Sequence, residues 1–141
     1  MLRLGGMKSP FSPEYRNMVA AAKEVQVVRM HDLVFQSGDY VIFESAYTPA
    51  GMVSMIDEHS GGIVQDHAQV WLPQLHQLME LFGDYSASLS AMRSGLSGAG
   101  APAGYFESFH SWEECTLAVL MLSRAGKVWN GKAWTPLAGR G

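Results

Sequence analysis

Four side chains able to bind a metal ion lie around a glycine turn in the middle of the sequence. Asp57 and His59 precede Gly61-Gly62, and Asp66 and His67 follow it. Carboxylate oxygens and imidazole nitrogens are common protein ligands of zinc, manganese and iron. A divalent metal held by these four side chains is the basis of one functional hypothesis, a metal-dependent hydrolase.

This metal site depends on a β-hairpin, because the four side chains come together only if residues 52–58 pair with residues 63–70. The spacing matches no established metal motif, whether HExxH or an EF-hand loop. Aspartate, histidine, serine and glycine are also ordinary turn residues. We therefore favour a polar turn and keep the metal site as the alternative, with no other cofactor indicated.

A second candidate site is an aromatic hairpin near the end of the chain. Asn130-Gly131 is a preferred pair for a two-residue turn, which places Trp129 opposite Lys132 and Lys127 opposite Trp134. Strand alternation then puts two indoles and two ammonium groups on one face, as a platform for a base, a sugar or an aromatic side chain. The alternative, which we favour, is that the indoles cover the core with the lysine stems over them.

No catalytic residue is predicted. Cys115 is the only thiol, and His110 lies close before it, but the cysteine falls in an apolar helix beside two glutamates. A buried, inert cysteine is the better interpretation. The sequence also has no GxSxG elbow and no phosphate-binding GK[ST] signature. We therefore lean towards a protein without enzymatic activity.

Charge is distributed unevenly along the chain. Residues 30–92 contain eight acidic residues and no lysine or arginine, whereas the flanking segments carry an excess of positive charge. An exposed acidic block would attract a basic protein surface or a divalent cation. The favoured alternative is that the basic flanks pack over the block and neutralise it. Nonspecific nucleic-acid binding is disfavoured, because it needs clustered lysine and arginine.

Length and composition indicate one α+β domain. The chain has 141 residues, of which 48% are hydrophobic, and this is enough to bury a core without disulfides. We expect a single domain over residues 12–136, with a flexible loop at 94–104 and flexible tails at 1–11 and 137–141. No apolar run approaches the ~18 residues of a membrane-spanning helix. The N-terminus has no apolar signal core, so we expect a cytoplasmic protein.

The predicted elements are an antiparallel β-meander packed against about three helices. Helices are expected from about 13 to 24, from Pro73 towards Gly83, and after Ser111 to about Ala125. Ser111 and Glu114 form a capping-box pattern, and the apolar helix that follows is expected to be buried. Strands and turns are expected in the segments between: a possible strand start at 25–28, strands at 33–36, 40–44, 52–57 and 63–72, and turns at 37–39, 48–51 and 59–62.

Two segments taken together resemble small uncharacterised proteins of phages and bacteria. They are Trp71-Leu72-Pro73 with its leucine-rich helix, and the helix that leads into GKVWNGKAW at residues 126–134. The resemblance covers about residues 70–134. It implies a phage or mobile-element context and supplies no catalytic residue.

The functional hypothesis that we favour is a non-catalytic binding or accessory protein. It would act on a protein partner through the acidic block or through Trp129, Trp134, Lys127 and Lys132. The alternatives are the metal-dependent hydrolase and an acidic inhibitor of a basic host protein or nuclease. The sequence is also compatible with a homo-oligomer and gives no sign of a membrane partner.

Overall fold

The computed structural model shows a small α+β domain. It describes residues 11–31, 34–45, 48–56, 68–83, 86, 90, 92–93, 101 and 104–137. Within this part of the chain there are four α-helices, five strands and one 3-10 segment. The helices are α1 Pro13–Ala21, α2 Lys23–Met30, α3 Leu75–Glu80 and α4 Trp112–Ala125. The strands are β1 Tyr40–Ser45, β2 Thr48–Met55, β3 Ala68–Leu72, β4 Lys127–Trp129 and β5 Trp134–Pro136, and the 3-10 segment is Phe106–Ser108.

The larger sheet is antiparallel, but it is not a meander. Its strand order is β2-β1-β3, so β1 is central and pairs with both of the others. The hairpin predicted between residues 52–58 and 63–70 is therefore wrong where the structure describes these segments, because β1 lies between β2 and β3. A prediction from local alternation identifies strands without fixing which strands become neighbours.

The segment predicted as a turn at residues 48–51 is instead the beginning of β2. Pro49 suggested a turn, since proline cannot donate to a strand ladder. In this sheet β2 is an edge strand, and an edge is where a strand tolerates proline. The turn predicted at residues 37–39 is confirmed, and Gly38 in it has a positive φ of 96°.

The first predicted helix is two helices, and the strand considered at residues 25–28 is helical. The helical conformation is interrupted at Ala22, and α2 then runs from Lys23 to Met30. Gln26 shows why a helix is stable here. Its side-chain amide accepts from the backbone N–H of Trp71 at 2.8 Å and donates to the Trp71 carbonyl at 2.7 Å. In this way a side chain of α2 provides hydrogen-bond partners for backbone groups at the open edge of β3. The β-branched valines of α2 had instead suggested that this segment was itself a strand.

Helix α4 forms the centre of the core, as predicted. Residues 116–122 on it are all buried, and α1, α3 and β4 contact it. Ser111 caps its first turn, and Gly126 follows its last residue in the left-handed conformation, with φ of 67°. That conformation satisfies the final carbonyl groups, and glycine adopts it without strain. Phe11, which the sequence analysis assigns to a tail, is only 4% exposed and packs against Tyr15.

A buried polar network joins the sheet to two helices. Asp39 is fully buried, and its carboxylate accepts from the Arg29 guanidinium at 2.8 Å and from the Gln77 amide at 2.6 Å. It also accepts from the backbone N–H of Gln36 at 2.8 Å. Arg29 lies over the Trp71 ring at 4.8 Å. Here a cation from the basic N-terminal flank neutralises one carboxylate of the acidic block.

None of the described helices combines the length and hydropathy that crossing a membrane would require.

Candidate functional site

The residues proposed as metal ligands, Asp57, His59, Asp66 and His67, lie outside the described residues. Within the described residues, no group of three or more histidine, cysteine, aspartate or glutamate side chains could hold a metal ion. The hairpin that would have brought the four ligands together does not form between β2 and β3. The hypothesis of a metal-dependent hydrolase stays a prediction, and no pairing of β2 with β3 supports it.

The aromatic hairpin forms, but its register differs from the prediction. Trp129 lies opposite Trp134, and Lys127 lies opposite Pro136. The loop therefore has four residues, 130–133, where the sequence suggested two. The reason is the Asn130 side chain, which accepts from the backbone N–H groups of Lys132 and Ala133, each at 2.8 Å. This asparagine-capped turn competes with the two-residue turn and here replaces it.

The hairpin brings the two indoles together with both N–H groups bonded inside the molecule. The ring centroids of Trp129 and Trp134 are 5.2 Å apart. The indole of Trp129, only 8% exposed, donates to Glu14, and that of Trp134 donates to the Met18 carbonyl at 2.8 Å. These contacts fasten the hairpin to α1 and are of the kind expected when indoles cover a core.

The two lysines of the predicted platform have different surroundings, since Lys127 pairs with α2 and Lys132 lines a depression together with Trp129. The Lys127 ammonium bonds to Glu24 at 2.7 Å, across to α2. Lys132 lies in the exposed loop. Ligand binding by these four residues as a set stays a prediction.

A cleft of about 440 Å³ opens beside this hairpin and is the candidate site. It lies where the first turns of α1 and α4 meet the 3-10 segment and the hairpin loop. Its lining residues are Glu14, Ser108, Phe109, His110, Glu114, Trp129, Asn130 and Gly131.

Two helix caps position the carboxylates of the cleft. Ser12 caps α1 by accepting from the Tyr15 N–H at 3.0 Å, and Ser111 caps α4 by accepting from the Glu114 N–H at 3.1 Å. Acidic side chains are favoured in the first turn of a helix, because the unsatisfied N–H groups there carry partial positive charge. Glu14 and Glu114 occupy such first turns, and both line the cleft.

Glu114 differs in one detail from the capping box predicted by the sequence. Its carboxylate accepts from the His110 N–H at 3.0 Å, one residue before Ser111, and from the Ser12 hydroxyl. The Ser12 hydroxyl draws the carboxylate across to α1, away from the Ser111 N–H. The residue is fully buried, and both of these hydrogen-bond donors are neutral. Its charge therefore lies beneath the cleft without a cationic partner among the described residues.

The opposite wall of the cleft is held by Tyr105. Its hydroxyl accepts from the backbone N–H of Trp129 at 2.8 Å. Its ring makes edge contacts with the rings of Phe106 and Phe109, with centroid distances of 4.9 and 5.1 Å. Burial raises the pKa of Tyr105, so the phenol stays protonated over the physiological range. These contacts hold the hairpin and the 3-10 segment in fixed positions around the cleft.

The electrostatic character of the cleft is acidic. No lysine or arginine occurs among its lining residues, whereas Glu14 and Glu114 both do. The cleft therefore attracts a group that carries positive charge.

Two shallower depressions share lining residues with the cleft. One, of about 260 Å³, shares Phe109 and His110 with it and is otherwise lined by Ser111, Trp112 and Cys115. The other, of about 520 Å³, shares Trp129 and Gly131 with it and extends along α1; its remaining lining residues are Asn17, Ala20, Ala21 and Lys132. The candidate site is thus a band of surface rather than one isolated pocket.

Cys115 does not have the environment of an activated nucleophile. Burial raises the pKa of its thiol, and the adjacent Glu114 charge raises it further. The thiol lies 3.8 Å from the Phe106 carbonyl. A raised pKa leaves less thiolate at neutral pH, in contrast with reactive cysteines, whose surroundings lower the pKa.

The cleft is not predictable from local sequence signals, although the starts of the two helices that line it are. Ser12 with Glu14, and Ser111 with Glu114, were visible as helix starts. Their meeting was not visible, because they are about a hundred residues apart in the chain and only the packing of α1 on α4 joins them.

No protein-family model, curated protein or solved structure matches the chain. The resemblance of residues 70–134 to small phage and bacterial proteins stays a prediction.

Proposed function

We propose that this protein is a binding protein that accepts a basic side chain of a partner protein in the cleft between the hairpin and the first turns of α1 and α4. The observation that carries the proposal is the Glu114 carboxylate, which is fully buried beneath the cleft and bonded only by neutral donors. A buried charge that has lost its hydration gains from a nearby opposite charge.

Glu14 supplies the contact with the ligand in this proposal. It is half-buried, and within the described residues its hydrogen bonding engages one carboxylate oxygen, Oε2. A guanidinium or ammonium group entering the cleft would bond to Glu14 and feel the Glu114 charge from below. Two opposite charges 4 Å apart near a protein surface attract by about 4 kcal/mol before desolvation costs.

A protein partner is favoured over a small amine by the shape of the surface. The cleft shares lining residues with two neighbouring depressions, and such a surface suits an extended segment better than a compact ligand. The earlier hypothesis of an acidic inhibitor of a basic protein is one special case of this proposal.

The experiment is a heteronuclear NMR titration with a short capped peptide, Gly-Ser-Arg-Ser-Gly, and a matched peptide with glutamine in place of arginine. We expect the arginine peptide at millimolar concentration to shift the indole N–H signal of Trp129 and the backbone signals of His110 and Gly131. The shifts should decrease at high salt, since part of the attraction is screened.

Two variants make the titration specific. Glu14→Gln keeps an oxygen that accepts from the Trp129 indole and removes the charge, and it should weaken arginine binding by at least about fivefold, or about 1 kcal/mol. Glu80→Gln on α3, outside the cleft, should bind like the parent protein. Equal shifts with both peptides, or no shift with either, would show that the cleft does not recognise a basic side chain.

A further inference from the structure

Trp112 is an exposed aromatic side chain beside the cleft. It lies in the first turn of α4 and is 65% exposed, whereas residues 116–122 of the same helix are buried. A large apolar side chain left in water is informative, because burying it would be favourable. Its indole forms one side of the groove that Phe109 and Cys115 also line.

The groove at Trp112 adjoins the cleft. Phe109 and His110 line both of them, so the two spaces are neighbours with these side chains between them. In an extended chain, alternate side chains point to the same face and lie about 7 Å apart. A segment with its basic residue in the cleft would therefore present a residue two positions away to the groove.

Charge around the groove favours a protein segment over a membrane. No lysine or arginine lines the groove, the half-buried Glu113 follows Trp112 in the chain, and the neighbouring cleft carries Glu14 and Glu114. An anionic lipid surface would be repelled by these carboxylates. A basic segment would be attracted, and it would also bring an apolar side chain to the indole.

We propose that the groove formed by Phe109, Trp112 and Cys115 holds an apolar side chain of the same partner segment that places its basic side chain in the cleft. This inference rests on the proposed function and gives it a specificity: a basic residue, one intervening residue, then an apolar residue. Trp112 is the side chain that selects the apolar residue.

The experiment is a selection from a library of displayed random heptapeptides, carried out on the parent protein and on Trp112→Ser. The parent should enrich peptides with arginine or lysine followed two positions later by an apolar residue. Trp112→Ser should keep the basic preference and lose the apolar one. Val34→Ser replaces another exposed apolar residue, 62% exposed and outside the groove, and should select the same peptides as the parent.

Two synthetic peptides give the quantitative readout, one with Arg-Ser-Leu and one with Arg-Ser-Ser at its centre. The leucine peptide should bind the parent at least about fivefold more tightly, a difference of about 1 kcal/mol, and the two should bind Trp112→Ser equally. Enrichment of basic residues by the parent protein without an apolar preference would refute apolar binding in the groove and would still support basic side-chain binding in the cleft. Loss of the basic preference itself would overturn the proposed function.

Discussion

The Ser12 hydroxyl donates a hydrogen bond to the carboxylate of Glu114, joining residues 102 positions apart. Each residue also takes part in the start of its own helix. Ser12 accepts from the Tyr15 N–H in α1, and the Glu114 N–H donates to the N-cap of α4. One side-chain contact therefore holds two helix N-termini together at the floor of the candidate site.

Replacing Ser12 by alanine is expected to destabilise the protein by about 2–4 kcal/mol. About 1 kcal/mol comes from the lost helix cap, and about 1–3 kcal/mol comes from removing a donor from the buried Glu114 carboxylate. Urea denaturation would measure the change. Ser12→Thr keeps the hydroxyl and serves as the control, with an expected change under about 0.5 kcal/mol. An alanine variant as stable as the threonine variant would show that the contact is not stabilising.

The buried network around Asp39 predicts a larger effect. Asp39→Ala leaves the Arg29 guanidinium and the Gln77 amide without their acceptor, and breaking a buried ion pair on one side typically costs about 3–5 kcal/mol. The exposed carboxylate of Glu107 provides a control, since Glu107→Ala should change stability by less than about 0.5 kcal/mol. The prediction fails if the two variants unfold at similar urea concentrations.

Lys127 is expected to lower the pKa of the Glu24 carboxyl while contributing little to the free energy of unfolding. The Lys127 ammonium lowers the pKa of the Glu24 carboxyl through their hydrogen bond. Both side chains are more than one third exposed, Lys127 at 35% and Glu24 at 41%. The ion pair should therefore contribute less than about 1 kcal/mol to stability. Because the folded-state pKa is lowered, this small stabilisation is present above the unfolded pKa and is lost as pH falls through the folded value.

The measurement for this pair is an NMR titration of the Glu24 side chain. Lys127→Met should return the pKa of Glu24 towards its ordinary value while changing the free energy of unfolding only slightly. A pKa that stays low in the variant would mean that another group depresses it.

Cys115 is expected to react slowly with a thiol reagent at mildly alkaline pH. Burial and the Glu114 charge raise its pKa, so the thiolate fraction at a given pH is smaller than for a free cysteine. The reaction with an aromatic disulfide reagent should therefore be slower than that of glutathione, and denaturant should accelerate it. Labelling as fast as the free thiol before denaturation would contradict the raised pKa.

Local signals in the sequence predicted the elements where one residue decides the conformation. Ser111 and Gly126 mark both ends of α4, and Ser12 with Pro13 marks the beginning of α1. Each of these acts through the backbone of its own segment. That is why the α+β class, the buried C-terminal helix and the closing hairpin are all visible from sequence.

Features decided by distant partners were not predicted. The valines of α2 suggested a strand, but Gln26 in the same segment bonds to the Trp71 backbone from a helix. The hairpin register was misjudged because the turn pair Asn130-Gly131 supports more than one loop length. The candidate cleft depends on Glu14 and Glu114 meeting across the fold, and no local pattern encodes that meeting.

The contacts between α1 and the end of the chain also bear on how the protein folds during its synthesis. Glu14 bonds to Trp129, Met18 to Trp134 and Glu24 to Lys127, with 115, 116 and 103 positions between the partners. A ribosome releases residue 14 long before residue 129, so the contacts of the first helices with the hairpin form only after the hairpin emerges. Contacts between residues so far apart in the chain form slowly, because a long loop must close first.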